Sequence, residues 1–166
     1  MRVLGFDAPG RAGFGSWVVV DDRRGGVFVA AGDTLRTTTR VSEADQLRAL
    51  DAVFDRARLL GVGLVVLERP FIFEIAGWVG AAKLAAATRD IRWVVFPQAT
   101  ARKLALGHGE MGKGKAGRVR RQAESMAAAV GWFGARRINS QHRADAAMYA
   151  RAGIQWAKRS GGCDGV

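Results

Sequence analysis

The chain has 166 residues, 49% of them hydrophobic and 25% charged, which suits one globular domain and excludes wholesale disorder. Lysine and arginine number 26 against 15 acidic residues, and the net charge of +11 favours a polyanionic partner, nucleic acid first among them. No apolar run approaches the roughly 20 residues that span a bilayer, and the N-terminus lacks the order of a signal peptide. One cysteine, Cys163, and two histidines build neither an intramolecular disulfide nor a zinc site. The expectation is a soluble, cytoplasmic protein of a reducing compartment with no membrane partner.

In chain order, residues 1–7 alternate apolar positions and end on Asp7, which predicts a strand. Residues 8–15 carry turn chemistry, 16–22 a second strand, 23–26 a hairpin turn and 27–31 a third strand. Ser42 is placed to cap a helix reaching Leu60, with Leu47, Leu50, Phe54 and Ala57 at helical spacing and Gly61 as its stop. Val62–Glu68 is nearly continuous in apolar residues, as in a strand buried on both faces. Residues 73–89 are helical in composition, 91–96 form a short strand closed by Pro97, and Gln98–Leu106 is a short helix. Residues 107–117, with five glycines, predict a loop; 118–130 and 141–158 are the last two helices. An antiparallel meander followed by crossovers predicts one α/β domain over 1–159, with a mixed sheet and a flexible tail at 160–166.

The positive charge is concentrated. Arg102, Lys103, Lys113, Lys115, Arg118, Arg120 and Arg121 stand against the single acid Glu110, and Arg136, Arg137, Arg143, Arg151, Lys158 and Arg159 form a second group. Such stretches neutralise phosphates and give salt-sensitive affinity without sequence preference. Arg102, Lys103, Lys113, Lys115 and Arg118 are the candidate DNA contacts.

Two acids end strongly apolar strands: Asp7 after Val3-Leu4-Gly5-Phe6, and Glu68 after Leu64-Val65-Val66-Leu67. If these strands are parallel neighbours, both carboxylates reach the crevice where α/β sheets bind ligands. Asp145 and His142, three residues apart in the last helix, share one helical face. Converging acids repel one another unless a cation intervenes, and an oxygen-rich set suits Mg²⁺ or Mn²⁺. In a basic chain, that chemistry points to phosphodiester hydrolysis with two metals per site.

These pieces resemble a known family. A strand ending in Asp7 before a glycine-rich turn, the LVVLERPF stretch, the ARKL segment and the QHRADAAMYA helix are similar, in that order, to the RuvC family of Holliday-junction resolvases over nearly the whole chain. The resemblance implies a ribonuclease H-like fold, with a mixed five-stranded sheet and helices on both faces. It implies Asp7, Glu68, His142 and Asp145 as the metal-binding, catalytic quartet, and a homodimer that makes paired nicks in a four-way junction. Phe71 matches an aromatic that stacks on bases, although core packing or a helix-start contact explains it equally well. Within MGKGKAGRV the family's active-site lysine falls on Lys115, with Lys113 as the alternative. Ala8 intervenes between Asp7 and Pro9, where the family usually has proline directly. The GKGK loop is similar to phage and poxvirus-like members. Forks, flaps, other branched DNA or RNA remain alternative substrates, and motor partners are left open.

Other signals are weaker. Residues 107–113 match the start of a Walker A loop, but Gly114 stands where the Mg²⁺-binding hydroxyl belongs. His108 is a bystander in a glycine-rich loop. The helix around Ile75, Trp78, Val79, Ala82 and Ala85 is apolar over so wide an arc that one face is left for a second subunit.

Overall fold

The computed structural model describes residues 1–8, 15–23, 26–33, 42–70, 73–109 and 114–160. Its elements are β1 (Arg2–Asp7), β2 (Ser16–Asp21), β3 (Val27–Asp33), α1 (Glu43–Leu59), β4 (Val62–Glu68), α2 (Phe73–Ala87), β5 (Arg92–Phe96), α3 (Gln98–Leu106), α4 (Gly114–Phe133) and α5 (Gln141–Arg159). The strands form one five-stranded sheet in the order β3-β2-β1-β4-β5. β1 is antiparallel to β2 and parallel to β4, and β4 is parallel to β5. The sheet is therefore mixed, and the two strands that carry Asp7 and Glu68 are the parallel neighbours the site requires.

Alternation along the central strands builds two cores. Val3, Val18, Val20, Leu64 and Val66 face α3, α4 and α5, together with Phe96, Phe133 and Met148. Leu4, Phe6, Val19, Val65 and Leu67 face α1 and α2, against Leu50, Phe54, Val79 and Ala82. Burial on both faces is why these strands read as apolar runs.

Helix ends follow local chemistry. The Ser42 hydroxyl accepts from the Asp45 amide at 3.1 Å, and Gly61 closes α1 at φ +64, a conformation that favours glycine. Several boundaries differ from expectation, among them the end of β3 and the start of α4. β3 runs on to Asp33 because Gly32 lies beneath the Trp17 indole, where a Cβ would come within 2.7 Å of the ring. α4 starts at Gly114 rather than 118. The glycines of 107–117 suggest a loop, but Gly117 is buried, and tertiary packing outweighs its low helix propensity. Among the described residues no helix is long and apolar enough to cross a membrane.

The seating of α5 positions the site. A Cβ on Gly5 would run into the backbone of Ala146 and Ala150, and one on Gly153 into Val66 and Val3. The helix therefore lies against the sheet with main chain nearly touching main chain, running opposite to β1. Its first turn reaches the carboxyl ends of β1 and β4.

Candidate active site

Phe6 pairs with Leu67 across the parallel ladder, so the next residues, Asp7 and Glu68, end adjacent strands side by side. From the other direction, Ser140 caps α5 by accepting the Arg143 amide at 3.2 Å, fixing where the helix begins. His142 follows at once, and its Nδ1 lies 2.6 Å from Asp7 Oδ2. Gln141 donates from Nε2 to Asp145 Oδ1 at 2.9 Å. Three remote segments thus deliver Asp7, Glu68, His142 and Asp145 to one end of the sheet.

The electrostatics follow from that convergence. Burial pushes the Glu68 carboxyl up to about 7, and the Asp7 and Asp145 charges add to the effect. Asp145 also rises to about 7, through burial and the charge on Asp7, with Gln141 and His142 opposing. Asp7 is raised by burial, against the pull of His142. The His142 imidazole is raised in turn, chiefly by its hydrogen bond to Asp7. These are the shifts of acids that crowd one another in a poorly hydrated place.

Such a donor set suits a hard divalent cation, whose charge would relieve the repulsion and whose ligand preference is oxygen. Among the described residues, no three His, Cys, Asp or Glu side chains stand together closely enough to hold a metal ion as they are placed. What the backbone brings together is the charge and the oxygen chemistry.

The remaining candidates divide. Lys103 is exposed on α3, while Lys115 and Arg118 are exposed on the first turns of α4. Phe71 and Lys113 lie outside the described residues, as do Pro9, Gly10 and residues 161–166 of the tail. Arg102 corrects the expectation of a DNA contact. It is 0% exposed, it is ion-paired with Glu124, and its Nη1 donates to Ser125 Oγ at 2.8 Å and to the Arg121 carbonyl at 3.1 Å. Its work is to tie α3 to α4, and its charge opposes the rise of the Asp145 carboxyl. His108 supports the same joint, with Nε2 2.8 Å from Glu124 Oε1. Arg143 is also engaged, gripping Asp33 through two bonds of 3.0 Å while Ser16 donates to the same carboxylate at 2.8 Å. Arg151 lies over the Trp132 ring.

Sequence reasoning missed Gln141 and Tyr149. Both sit four residues from Asp145, and the helical spacing that pairs His142 with Asp145 extends to them as well.

A ribonuclease H-like fold is thus in place, with acids at the adjacent ends of its central parallel strands. Solved structures share it, among them two of RuvC. The chain is similar to Thermus thermophilus RuvC, at 20% identity with a TM-score of 0.76, covering 96% of this chain and 97% of that one. It is also similar to T. thermophilus RuvC in complex with a Holliday junction substrate, at 17% identity and a TM-score of 0.74, covering 96% of each chain. The fold is therefore RuvC-like. No protein-family model matches the chain, and no curated protein does.

Proposed function

We propose that this chain is a metal-dependent, structure-selective DNA endonuclease that resolves four-way junctions as a homodimer. The observation that carries the reading is the meeting of Asp7, Glu68 and Asp145 with His142 at one sheet end, in a chain of net charge +11. The shared fold of a RuvC complexed with a Holliday junction supports the choice of substrate.

In this reading Asp7, Glu68 and Asp145, with His142, hold Mg²⁺ or Mn²⁺, two per site. Bound cations would supply an activated water and neutralise charge developing on the scissile phosphate and leaving oxygen. His142 orients the Asp7 carboxylate, Gln141 does the same for Asp145, and burial keeps bulk water from competing for both. Exposed Lys103, Lys115 and Arg118 bind phosphates along the arms, with Lys115 or Lys113 as the lysine nearest the chemistry and Phe71 stacking on an unpaired base. The glycine-lysine run over 112–115 favours a phage or poxvirus-like subtype.

The dimer reading rests on α2. Leu84 is 67% exposed, and among the described residues a Cβ at Gly77 or Gly80 would meet nothing, so none of them explains the small residues there. Leu47 of α1, itself exposed, continues this apolar surface. A helix apolar on every side is usually covered.

The test is incubation of the purified chain with labelled four-way, three-way, flap and linear duplex DNA, with and without Mg²⁺. Symmetric paired nicks confined to the four-way substrate support the reading. Cleavage of flaps or forks alone replaces it with a general branched-DNA nuclease, and no Mg²⁺-dependent cleavage of any substrate removes it.

A further inference from the structure

Tyr149 is the single tyrosine of the chain. It lies on α5 one turn beyond Asp145, as Gln141 lies one turn before it, so the three side chains form a row along one helix face. Each acid of the cluster can be asked which side chain of α5 steadies it. Asp7 meets His142 at 2.6 Å, and Asp145 accepts from Gln141 at 2.9 Å. Glu68 has Tyr149 as its neighbour, yet the phenol completes no hydrogen bond of full geometry among the described residues. Tyr149 is 1% exposed, so water does not satisfy that hydroxyl from bulk solvent.

An unpaired buried hydroxyl is costly, and phenylalanine would fill the same space without the cost. The helix has little freedom to move it elsewhere, because Gly5 and Gly153 seat α5 directly on β1 and β4. The hydroxyl is therefore held at the Glu68 carboxylate, whose charged form it favours, short of the full hydrogen-bond geometry that His142 and Gln141 reach with the other two acids.

We propose that Tyr149 is a positioning residue for Glu68: its Oη donates to one oxygen of the Glu68 carboxylate in the cation-loaded site, turning the other oxygen toward the cation. This rests on the reading of Glu68 as a metal ligand given above. Ligating carboxylates need such outer partners to fix their orientation, and losing one typically weakens metal binding by about 10–100-fold. The three acids then share one plan, each steadied by a different α5 side chain: His142, Gln141 and Tyr149.

The experiment is calorimetric titration of Mn²⁺ into the full chain, wild type and Tyr149→Phe, alongside melting in the absence of divalent cation. The expected result is Mn²⁺ affinity lowered about tenfold in Y149F, with cation-free melting unchanged or raised because an unpaired hydroxyl is gone. Equal affinity in the two chains overturns the proposal, and so does an affinity loss that merely accompanies a lower cation-free melting temperature. A second measurement does not depend on the variant. With one tyrosine, 3-fluorotyrosine labelling gives a single fluorine resonance, which must shift when Mg²⁺ is added; a resonance unmoved at saturating Mg²⁺ overturns the proposal. Failure of the wild type to bind Mn²⁺ at all removes the metal reading itself, whereas a binding wild type with an indistinguishable Y149F removes this inference alone.

Discussion

Asp7 and Asp21 are aspartates at opposite ends of the same sheet, almost equally buried at 7% and 5% exposure, and their surroundings have opposite sign. The Arg23 guanidinium, 2.5 Å away, holds the Asp21 carboxyl well below the usual carboxylate range, and Arg2 adds a bond of 3.2 Å. Next to it, Asp22 pairs with the N-terminal ammonium at 2.8 Å. At the other end Asp7 has Glu68 and Asp145 for company, with the His142 imidazole as its close partner. A chain carrying +11 does not lack cations to place there. The closest arginine along α5, Arg143, is instead committed to Asp33. One end of the sheet is neutralised by arginines and the N-terminal ammonium, while at the other the described residues set three acids beside one imidazole.

Exchanging acid for amide at each end should separate the two aspartates most sharply. Asp7→Asn should lower Mg²⁺-dependent junction cleavage by about 10²–10³-fold or more, while Asp21→Asn should leave the rate at the wild-type level; gel assays of labelled junctions decide it. Next in size is Gly5→Ala, which forces β1 and α5 apart. It should cost about 3 kcal/mol or more in urea unfolding, above the ordinary range for overpacking because the obstacle is backbone. Asp21→Asn should then cost about 1.5–3 kcal/mol by the same measurement at pH 7, the worth of hydrogen bonds to a charged group. Because Asp21 is held low, its contribution is present above its ordinary value of 3.8 and lost as pH falls further, so the variant should lose less on acidification than the wild type.

The smallest effect carries the opposite sign. Folded Glu68 and Asp145 keep their protons up to about 7, against ordinary values of 4.5 and 3.8. The folded chain therefore binds protons that the unfolded chain has released, and stability falls as pH rises through that window. Without divalent cation the melting temperature should drop between pH 5 and pH 8. Asp145→Asn should flatten the drop, and Mg²⁺ should restore more at pH 8 than at pH 6. A melting temperature that rises over this range contradicts the picture of mutually repelling acids.

Much of the frame was legible because it rests on periodicity. The apolar runs of β1 and β4, the Ser42 cap and the Gly61 stop are local signals; Asp7 and Glu68 were visible as acids ending apolar strands, and Asp145 through its helical spacing from His142. Arg102 was misread for a physical reason: in sequence it stands in a basic run, and only the packing of α3 on α4 shows its partner, Glu124. Tyr149 was overlooked because an aromatic at helical spacing among alanines looks like core, and core it is except for its hydroxyl. The start of α4 was misjudged because glycine density outweighed the burial of Gly117, which no local pattern reports.

The way α5 rests on β1 bears on how far such a chain can diverge. A joint between two main-chain surfaces requires that a Cβ be missing, not that any given side chain be present. Gly5 holds α5 on β1 by leaving room for the backbone of Ala146 and Ala150, Gly153 leaves room for Val66 and Val3, and the same architecture is shared with a chain of 20% identity.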